Sequence, residues 1–264
     1  MNKTGSYSST PILYDLYDLV PAYQNRKDID FYVNLCMVSR GNILELGCGT
    51  GRILIPIAKA GCQITGLDLS EHMLAKCQKK LSDLNDDQIS NVTLIQSNMT
   101  EFDLGNKFDH IIIPFRAFQH LLEIKEQESC LKCVQKHLKD NGRLVFDIFN
   151  VDLSRVNNPK FKEITEDTPE FELENGFKLR RCHRVIEFHT KEQYNDVELI
   201  YYLTDKDGKT EKITHQFPMR YFIKTEIEQL LERCGLQIIE IYGNLDKSPL
   251  TDKSPEMIIV ATRR

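Results

Sequence analysis

Two kinds of hydrophobic pattern alternate over the first 150 residues of the chain. Short and nearly continuous apolar runs are typical of strands that are buried on both faces of a parallel sheet. Segments with helical spacing of apolar residues separate these runs. Five such strands are predicted, at residues 42–46, 62–67 and 92–96 and in "KFDHIIIPF" and "GRLVFDIFN". The alternation predicts an α/β domain with a parallel sheet that is covered on both faces.

Polar residues at the ends of these segments predict where helices begin and end. A helix is expected over residues 50–59 and another over 126–139. Ser70 is a predicted N-cap of a helix that continues to about Leu81. In "TEIEQLLERCG", Thr225 is a predicted cap and Gly235 a predicted stop. Two further strands, "LQIIEIYG" and "EMIIVATRR", follow that helix.

The pattern changes between about residues 161 and 221, where the helical period is lost. Three β segments are predicted there: "FKLRRCHRVIEFH", "VELIYYLTD" and "KITHQFPMRYF". Asp207-Gly208 is a tight-turn signal between the second and third of them. We therefore predict an α/β main domain of residues 1–155 and 222–264 with an N-terminal helical cap, interrupted by an antiparallel β lid of residues 156–221.

Composition and charge narrow the choice of partners. The chain has 264 residues, 41% of them hydrophobic, and a net charge of −5. A basic run that would bind nucleic acid is missing, and so is an apolar run of membrane-spanning length. Of the eight cysteines, Cys130 and Cys133 form a C-x-x-C pair in a segment with helical spacing, but a zinc site would need a second pair, so no metal site is predicted. These features favour a cytoplasmic protein.

A glycine-rich loop follows the first predicted strand. Gly47, Gly49 and Gly51 have the spacing G-x-G-x-G, whereas dinucleotide sites prefer G-x-G-x-x-G. Glu45 stands just before the loop, where its charge would oppose a pyrophosphate but suits the cationic end of S-adenosylmethionine. Asp68 ends the next strand and is placed to accept hydrogen bonds from ribose hydroxyls. These residues predict S-adenosylmethionine as the cofactor.

The adenine of this cofactor would lie near the loop after the third strand. Asn98 is a candidate to bind the adenine amino group, and Leu69 and Met99 are candidates to pack on the faces of the ring.

The motifs "LELGCGTGR", "GLDLS", "SNM" and "LKDNGRLVFDIF" resemble those of class I S-adenosylmethionine-dependent methyltransferases. The resemblance covers residues 14–149 and 225–264. It implies a Rossmann-like sheet of seven strands with the last strand antiparallel. It also implies that the methionine part of the cofactor lies along the glycine loop and that Phe115 lies under the cofactor. Many members have Asp where this chain has Asn98. The cofactor residues predicted in the main domain are Glu45, Gly47, Cys48, Gly49, Arg52, Asp68, Leu69, Met73, Asn98, Met99 and Phe115.

The N-terminal stretch "YDLYDLVPAYQNRKDIDFY" resembles the cap of small-molecule N-methyltransferases, such as the glycine/sarcosine and amino-sugar enzymes. This resemblance implies that Tyr17, Tyr23 and Arg26 contact the cofactor and that Tyr14 contacts the substrate. Packing of the aromatic rings against the core is the alternative.

The methyl acceptor is expected beyond the carboxyl ends of the strands. His120 is a possible base, or else a histidine bonded to backbone at a helix start. Asp147 is a possible ligand for a substrate ammonium or hydroxyl, or else a structural acid. The other predicted substrate residues are Arg116, Gln119, Asn150, Tyr201, His215 and Arg220.

The function predicted from the sequence is methyl transfer to a small molecule by in-line displacement, with nitrogen favoured slightly over oxygen as the acceptor. An RNA or protein methyltransferase is the alternative enzyme, and a basic groove would favour it. A non-catalytic module that binds S-adenosylmethionine is the alternative from another class. The chain is expected to be a monomer or a homodimer.

Overall fold

Two separately packed units make up the protein in the computed structural model, which describes residues 12–39, 41–152 and 156–264. One unit comprises Lys27–Val151 and Tyr221–Arg264. The described residues up to Arg26 form the other unit with those of Asp152–Arg220. The predicted division instead placed the N-terminal segment in the main domain.

The helices and strands are numbered in chain order through both units. The helices are α1 (Ile12–Leu19), α2 (Pro21–Gln24), α3 (Asp28–Ser39), α4 (Leu54–Lys59), α5 (Glu71–Leu81), α6 (Asp86–Ser90), α7 (Ile124–His137) and α8 (Lys224–Arg233). The strands are β1 (Ile43–Leu46), β2 (Ile64–Asp68), β3 (Val92–Gln96), β4 (Phe108–Ile113), β5 (Leu138–Phe149), β6 (Thr165–Glu172), β7 (Lys178–His189), β8 (Tyr194–Thr204), β9 (Thr210–Arg220), β10 (Leu236–Tyr242) and β11 (Glu256–Arg263).

The main unit is built on a seven-stranded sheet in the order β10-β11-β5-β4-β1-β2-β3. The pairs β1–β2, β1–β4, β2–β3 and β4–β5 are parallel. Strand β11 runs antiparallel to both of its neighbours, β5 and β10. The predicted seven-stranded sheet with an antiparallel last strand is therefore confirmed.

Alternate residues of the central strands pack on opposite faces of this sheet, which is why these strands are apolar along their whole length. Ile111 and Ile113 belong to the cluster on one face together with helices α7 and α8. Ile112 and Val145 belong to the cluster on the other face together with helices α3, α4 and α5. Both faces are thus covered by helices, as the apolar runs predict.

Four local predictions differ from the structure. The helix expected from residue 50 begins at Leu54, because the glycine turn before it contains backbone at positive φ. The fifth strand, predicted from Gly142, begins at Leu138. Helix α7 begins at Ile124 rather than residue 126. Thr225 lies within α8, whose N-cap position is Ile223, whereas Ser70 does cap α5 by accepting a hydrogen bond from the Met73 amide at 3.3 Å.

The second unit contains an antiparallel sheet of four strands in the order β6-β7-β8-β9, where three strands were predicted. Strand β6 was missed because its sequence, TEDTPEFE, is polar and six of its eight residues are exposed. The predicted Asp207-Gly208 turn is confirmed: the Asp205 amide donates to the Lys209 carbonyl at 2.9 Å, and Gly208 has φ +82°. Leu13, Leu16 and Val20 of the N-terminal helical segment pack in one apolar cluster with Leu179 and Tyr201 of this sheet.

All eight cysteines are free thiols, and seven of them are buried. Within the described ranges of the chain, no helix is long and apolar enough to cross a membrane.

Candidate active site

The candidate site lies where the parallel strands of the main unit end. The chain leaves β1 into the glycine loop, where Gly47, Gly49 and Gly51 have φ values of +73°, +54° and +84°. The amides of Gly47 and Cys48 both donate to the Leu67 carbonyl, at 2.7 and 3.1 Å. The loop therefore turns tightly against the end of β2.

The three glycines differ in what surrounds them. A Cβ on Gly51 would lie 2.6 Å from Cys77 Sγ, and one on Gly47 would lie 3.0 Å from Ala117 Cβ. A Cβ on Gly49 would meet no described atom within 4 Å. Gly51 and Gly47 are thus enclosed by protein, whereas the backbone of Gly49 is open to the approach of a ligand.

Asp68 joins the glycine loop to the end of β2. Its Oδ2 accepts a hydrogen bond from the Gly49 amide and its Oδ1 accepts one from the Ser70 amide, both at 2.8 Å. Burial raises the pKa of Asp68, and hydrogen bonds from the backbone amides of Ser70, Gly49 and Leu69 oppose this shift. The backbone amides thereby fix the orientation of the carboxylate at the end of β2.

Glu45 is a buried carboxylate behind the loop, with 2% of its surface exposed. Its Oε2 makes no hydrogen bond to any residue that the structure describes. Burial raises the pKa of Glu45 well above its ordinary value, although the Arg52 guanidinium acts in the opposite direction. A buried acceptor of this kind favours a cationic or N–H-bearing ligand group beside it.

Arg52 forms a buried bidentate ion pair with Asp28 of α3. Its Nη1 and Nη2 donate to the two carboxylate oxygens at 2.8 and 2.7 Å. The guanidinium also lies 4.5 Å from the centre of the Phe115 ring. Sequence analysis assigned Arg52 to the cofactor and did not identify Asp28, although an acid in a first helical turn is visible in the sequence. The cofactor role of Arg52 stays a prediction.

Asp147, a possible substrate ligand from the sequence, is fully buried in β5. Its Oδ1 accepts hydrogen bonds from the Tyr32 hydroxyl and from the Phe115 amide, each at 2.8 Å. Phe115 and Arg116 have φ values of +54° and +65°, which are uncommon for residues other than glycine. Asp147 therefore holds the strained loop after β4, and Tyr32 is a partner that the sequence did not reveal.

The other predicted substrate residues of the main unit also make contacts within the protein. Arg116 pairs with Glu256 at 2.5 Å, and its guanidinium lies 3.7 Å from the centre of the Phe149 ring. Gln119 Oε1 accepts a hydrogen bond from the Phe149 amide at 2.8 Å. The Asn150 amide group donates to the Thr251 and Ser254 carbonyls at 3.1 and 2.9 Å. These side chains tie the loops at the strand ends to one another.

His120 ends the short 3-10 helix Ala117–His120 and is half-buried. Burial lowers its pKa from 6.5 to about 4, so the ring is neutral at physiological pH. In the unfolded chain the pKa is about 6.5. The stability that this neutral ring contributes is complete above pH 6.5 and is lost as the pH falls towards 4.

We expect the His120 ring to show no titration in the folded protein between pH 8 and about pH 5. Histidine C–H resonances followed by NMR across this range measure the pKa, and a His120→Gln variant assigns the signal. A midpoint near 6.5 for this signal would contradict the burial argument.

The predicted adenine residues lie after β2 and β3. Leu69 has 56% of its surface exposed. The Asn98 side-chain oxygen accepts a hydrogen bond from the Thr100 amide at 3.0 Å, so it closes its own turn. Met99 Cε lies 3.5 Å from the Cβ position of Gly47, and Met73 and Cys48 are buried.

The remaining predicted residues belong to the second unit. The Tyr17 and Tyr23 rings lie 5.1 Å apart, and the Arg181 guanidinium lies 4.5 Å from the centre of the Tyr23 ring. Arg26 is half-buried, and the side chain of Tyr14 is outside the described part of the structure.

Cross-strand pairing places Tyr201 and His215 on one face of the antiparallel sheet. The pairs Leu199–His215 and Tyr201–Ile213 show this register. Arg220 pairs with Tyr194 and therefore belongs to the opposite face, where it donates to the Glu192 carbonyl. The three residues cannot act as one group on the same face.

Comparisons with known proteins agree with the observed fold and with the geometry of the glycine loop. Residues 44–144 match the model of a family described as a methyltransferase domain. A solved amino pentose methyltransferase from Micromonospora echinaspora, with S-adenosylmethionine bound, has a TM-score of 0.73 at 20% identity, covering 94% of this chain and 97% of that one. It shares the fold.

Several characterised and putative methyltransferases are similar in sequence. A putative methyltransferase of Geobacillus sp. (strain WCH70) is 27% identical over 222 residues, which cover 84% of each chain. A dTDP-3-amino-3,4,6-trideoxy-alpha-D-glucopyranose N,N-dimethyltransferase of Streptomyces venezuelae is 29% identical over 50% of this chain and 55% of that protein. The glycine/sarcosine N-methyltransferase of Aphanothece halophytica is 24% identical over 84% of this chain and 76% of that protein.

Residues 44–144 are thus similar to a methyltransferase domain, in agreement with the class I, S-adenosylmethionine-dependent methyltransferases that the motifs resemble. This confirms the resemblance predicted from the motifs. S-adenosylmethionine, the predicted cofactor, is confirmed at the level of this class, and the open Gly49, the buried Glu45 oxygen and the fixed Asp68 carboxylate fit it.

Proposed function

We propose that this protein transfers the methyl group of S-adenosylmethionine to an amino nitrogen of a small molecule. The observation that carries the proposal is the glycine loop, in which Gly49 is open to a ligand while Asp68 holds its amide. Similarity to an amino-sugar N,N-dimethyltransferase and to a glycine/sarcosine N-methyltransferase favours nitrogen as the acceptor. Both of those relatives act on small molecules, as their names state.

Residues at the strand ends would each bind a different part of the cofactor. The Asp68 carboxylate would accept hydrogen bonds from the ribose hydroxyls. Glu45 would lie near the cationic end, where a positive charge compensates its burial. Leu69 and Met99 would pack on adenine, and Asn98 has one lone pair left for the adenine amino group.

When bound, S-adenosylmethionine supplies a methyl group that its sulfonium already activates. The protein contributes position and the exclusion of water. Asp147 holds the loop of Phe115 and Arg116 in its strained shape, which fixes the groups beyond β4. The acceptor nitrogen must be unprotonated, and His120, whose pKa burial lowers to about 4, would be only a weak base for its proton.

The Gly49→Ala variant tests the open backbone of the loop. We expect cofactor affinity to fall by about tenfold or more, because the added methyl group would occupy the space that a ligand uses. The positive φ of +54° will also cost about 1 kcal/mol of folding stability. Titration calorimetry with S-adenosylmethionine and S-adenosylhomocysteine, together with urea denaturation, measures the two effects.

Gly61→Ala is the matched control, because Gly61 has φ +82° and a Cβ there also meets no described atom within 4 Å. Gly61 follows α4 and lies away from the strand ends, so its variant should lose similar stability and keep cofactor affinity. Equal losses of affinity in both variants would contradict the proposed site. The acceptor is tested by an assay of S-adenosylhomocysteine release. The protein is supplied with S-adenosylmethionine and a panel of primary and secondary amines, and release is compared with that for matched alcohols.

A further inference from the structure

Three side chains that can bind a metal meet near the end of the β7–β8 hairpin in the second unit. Glu187, His189 and Asp196 each offer one ligand atom, and these atoms all lie within 4.8 Å of one another. Glu187 and Asp196 are direct cross-strand neighbours, and His189 is two positions from Glu187 on the same face of β7. Because all three belong to two paired strands, the backbone hydrogen bonds of the hairpin fix their spacing.

A β-bulge creates this arrangement. The register shifts between Val185 and Glu187, which leaves Ile186 as the extra residue of β7. Without the bulge, Ile186 would stand opposite Asp196, and Glu187 would belong to the other face of the sheet. The bulge therefore brings the two carboxylates opposite each other, where two like charges are destabilising.

No arginine or lysine of the described chain pairs with either facing carboxylate. Arg184, on the same face of β7, donates to Glu198 Oε2 at 2.7 Å. Arg220, at the end of β9, donates to the Glu192 carbonyl. The two carboxylates therefore lack a permanent counter-charge within the protein, and a divalent cation would supply it.

His189 is already oriented for coordination. Its ring is stacked on the Tyr194 ring, with 4.1 Å between the centres and 18° between the planes. Its Nε2 lies 2.8 Å from Asp196 Oδ2, and side-chain exposures of 22% and 38% keep the two groups accessible to an ion. Tetrahedral zinc holds its ligand atoms about 3.3 Å apart, so a small side-chain rotation admits the ion and releases any proton on Nε2 to solvent.

We propose that Glu187, His189 and Asp196 bind a Zn²⁺ ion. Zinc accepts imidazole nitrogen and carboxylate oxygen at about 2.0–2.2 Å, and three protein ligands leave its fourth position to water or an anion. Ca²⁺ takes about six to eight oxygen ligands and Mg²⁺ also prefers oxygen, so both fit this cluster less well. The ion would join β7 to β8 and offset the repulsion between the carboxylates.

The site belongs to the second unit alone, and the proposal does not rest on the proposed function. The cysteine spacing predicts no metal site, but it carries no information about ligands that two paired strands bring together.

The test uses the full chain, stripped of metal with EDTA that is then removed, in a phosphine reductant that keeps the thiols reduced. Titration calorimetry with zinc chloride should show saturable binding of one ion per chain. Magnesium and calcium chloride should bind far more weakly. Nitrogen-15 NMR of the histidine rings should show the His189 signals shifting with the same saturation curve.

His189→Gln and Glu187→Gln each remove one ligand. Each should weaken zinc binding by at least about 10- to 100-fold, because loss of a hydrogen-bond partner of a metal ligand already costs that much. Glu187 is exposed, so its variant should keep the fold. In the absence of zinc, Glu187→Gln should resist urea at least as well as the unaltered chain, because the facing like charges are removed.

His183→Gln is the matched control. His183 Nδ1 also lies near a carboxylate of this sheet, 3.2 Å from Asp167 Oδ2. That carboxylate already has a cation, since Arg181 Nε donates to Asp167 Oδ1 at 2.9 Å. The control should therefore bind zinc as the unaltered chain does.

Absence of zinc binding would overturn the proposal, as would zinc binding that either ligand variant leaves unchanged. Equal weakening by His183→Gln would overturn it too, because the loss would then not be specific to the cluster. Calcium binding as tight as zinc binding would show that the carboxylates act without the imidazole, which also contradicts the proposed site.

Discussion

Replacing Asp68 with alanine will lower the affinity for S-adenosylmethionine by about 100-fold. The variant loses two expected hydrogen bonds from the ribose to a carboxylate, each contributing about 1.5 kcal/mol, and about 3 kcal/mol corresponds to roughly a 100-fold change. The variant also removes the hydrogen bond that the Gly49 amide donates to Asp68 Oδ2 at 2.8 Å, so the glycine loop loses this link to the end of β2. Titration calorimetry against S-adenosylmethionine and S-adenosylhomocysteine measures the change.

Asp83→Ala is a suitable control, because Asp83 is exposed just after α5 in the same unit. It should bind both adenosyl ligands as the unaltered chain does. Asp68→Asn keeps the shape of the side chain and removes its charge. We expect its affinity for S-adenosylmethionine to lie between that of Asp68→Ala and that of the unaltered chain. If Asp68→Ala bound S-adenosylmethionine normally, the assignment of the ribose to this strand end would be wrong.

The second large effect concerns folding. Asp28→Ala will lower the free energy of unfolding by about 3–5 kcal/mol, because it leaves the buried Arg52 guanidinium without its counter-charge. Both carboxylate oxygens of Asp28 accept from Arg52, at 2.8 and 2.7 Å, and the Asp28 side chain is fully buried. Urea denaturation followed by circular dichroism gives the free energy and its slope.

Asp30→Ala, on the exposed side of the same helix, should change the free energy of unfolding by less than about 0.5 kcal/mol. The double variant Asp28→Leu with Arg52→Met should regain much of the loss, since apolar residues of similar volume often replace a buried ion pair without cost. A small effect of Asp28→Ala would mean that water reaches Arg52.

The parts of the fold that follow from local pattern were predictable. Buried parallel strands such as β4 are apolar at every position, and Ser70 caps α5 through a hydrogen bond three residues away. Strand β6 has neither signal, because most of its residues face solvent and its register is irregular. Exposed edge strands carry little sequence pattern beyond polarity.

In the candidate site too, the residues marked by a local pattern could be proposed from the sequence. Gly49 and Asp68 stand at strand ends, and the order of the strands brings them together. Their long-range partners were not visible: Tyr32 meets Asp147 across 115 positions, and Glu256 meets Arg116 across 140. Such pairs depend on which faces meet after folding, and no local spacing encodes them.

The burial of Arg181 could not be predicted from the sequence, for a different reason. It lies in a strand with two arginines in succession, "RR", which suggests one inward and one outward side chain without saying which. Only the register with Tyr201 assigns Arg181 to the buried face and Arg180 to the exposed one.

The ion pair between Arg116 and Glu256 bears on how this chain can be divided for experiments. The segment that matches the methyltransferase family, residues 44–144, ends before Asp147 and begins after Asp28. Glu256, at the start of the last strand, is more than a hundred positions beyond it. An excised fragment of residues 44–144 would keep the glycine loop and Asp68, yet it would lose Asp28, Asp147 and Glu256, which bond to Arg52, the Phe115 amide and Arg116. We therefore expect residues 44–144 not to fold by themselves, and expression boundaries should include the C-terminal strand.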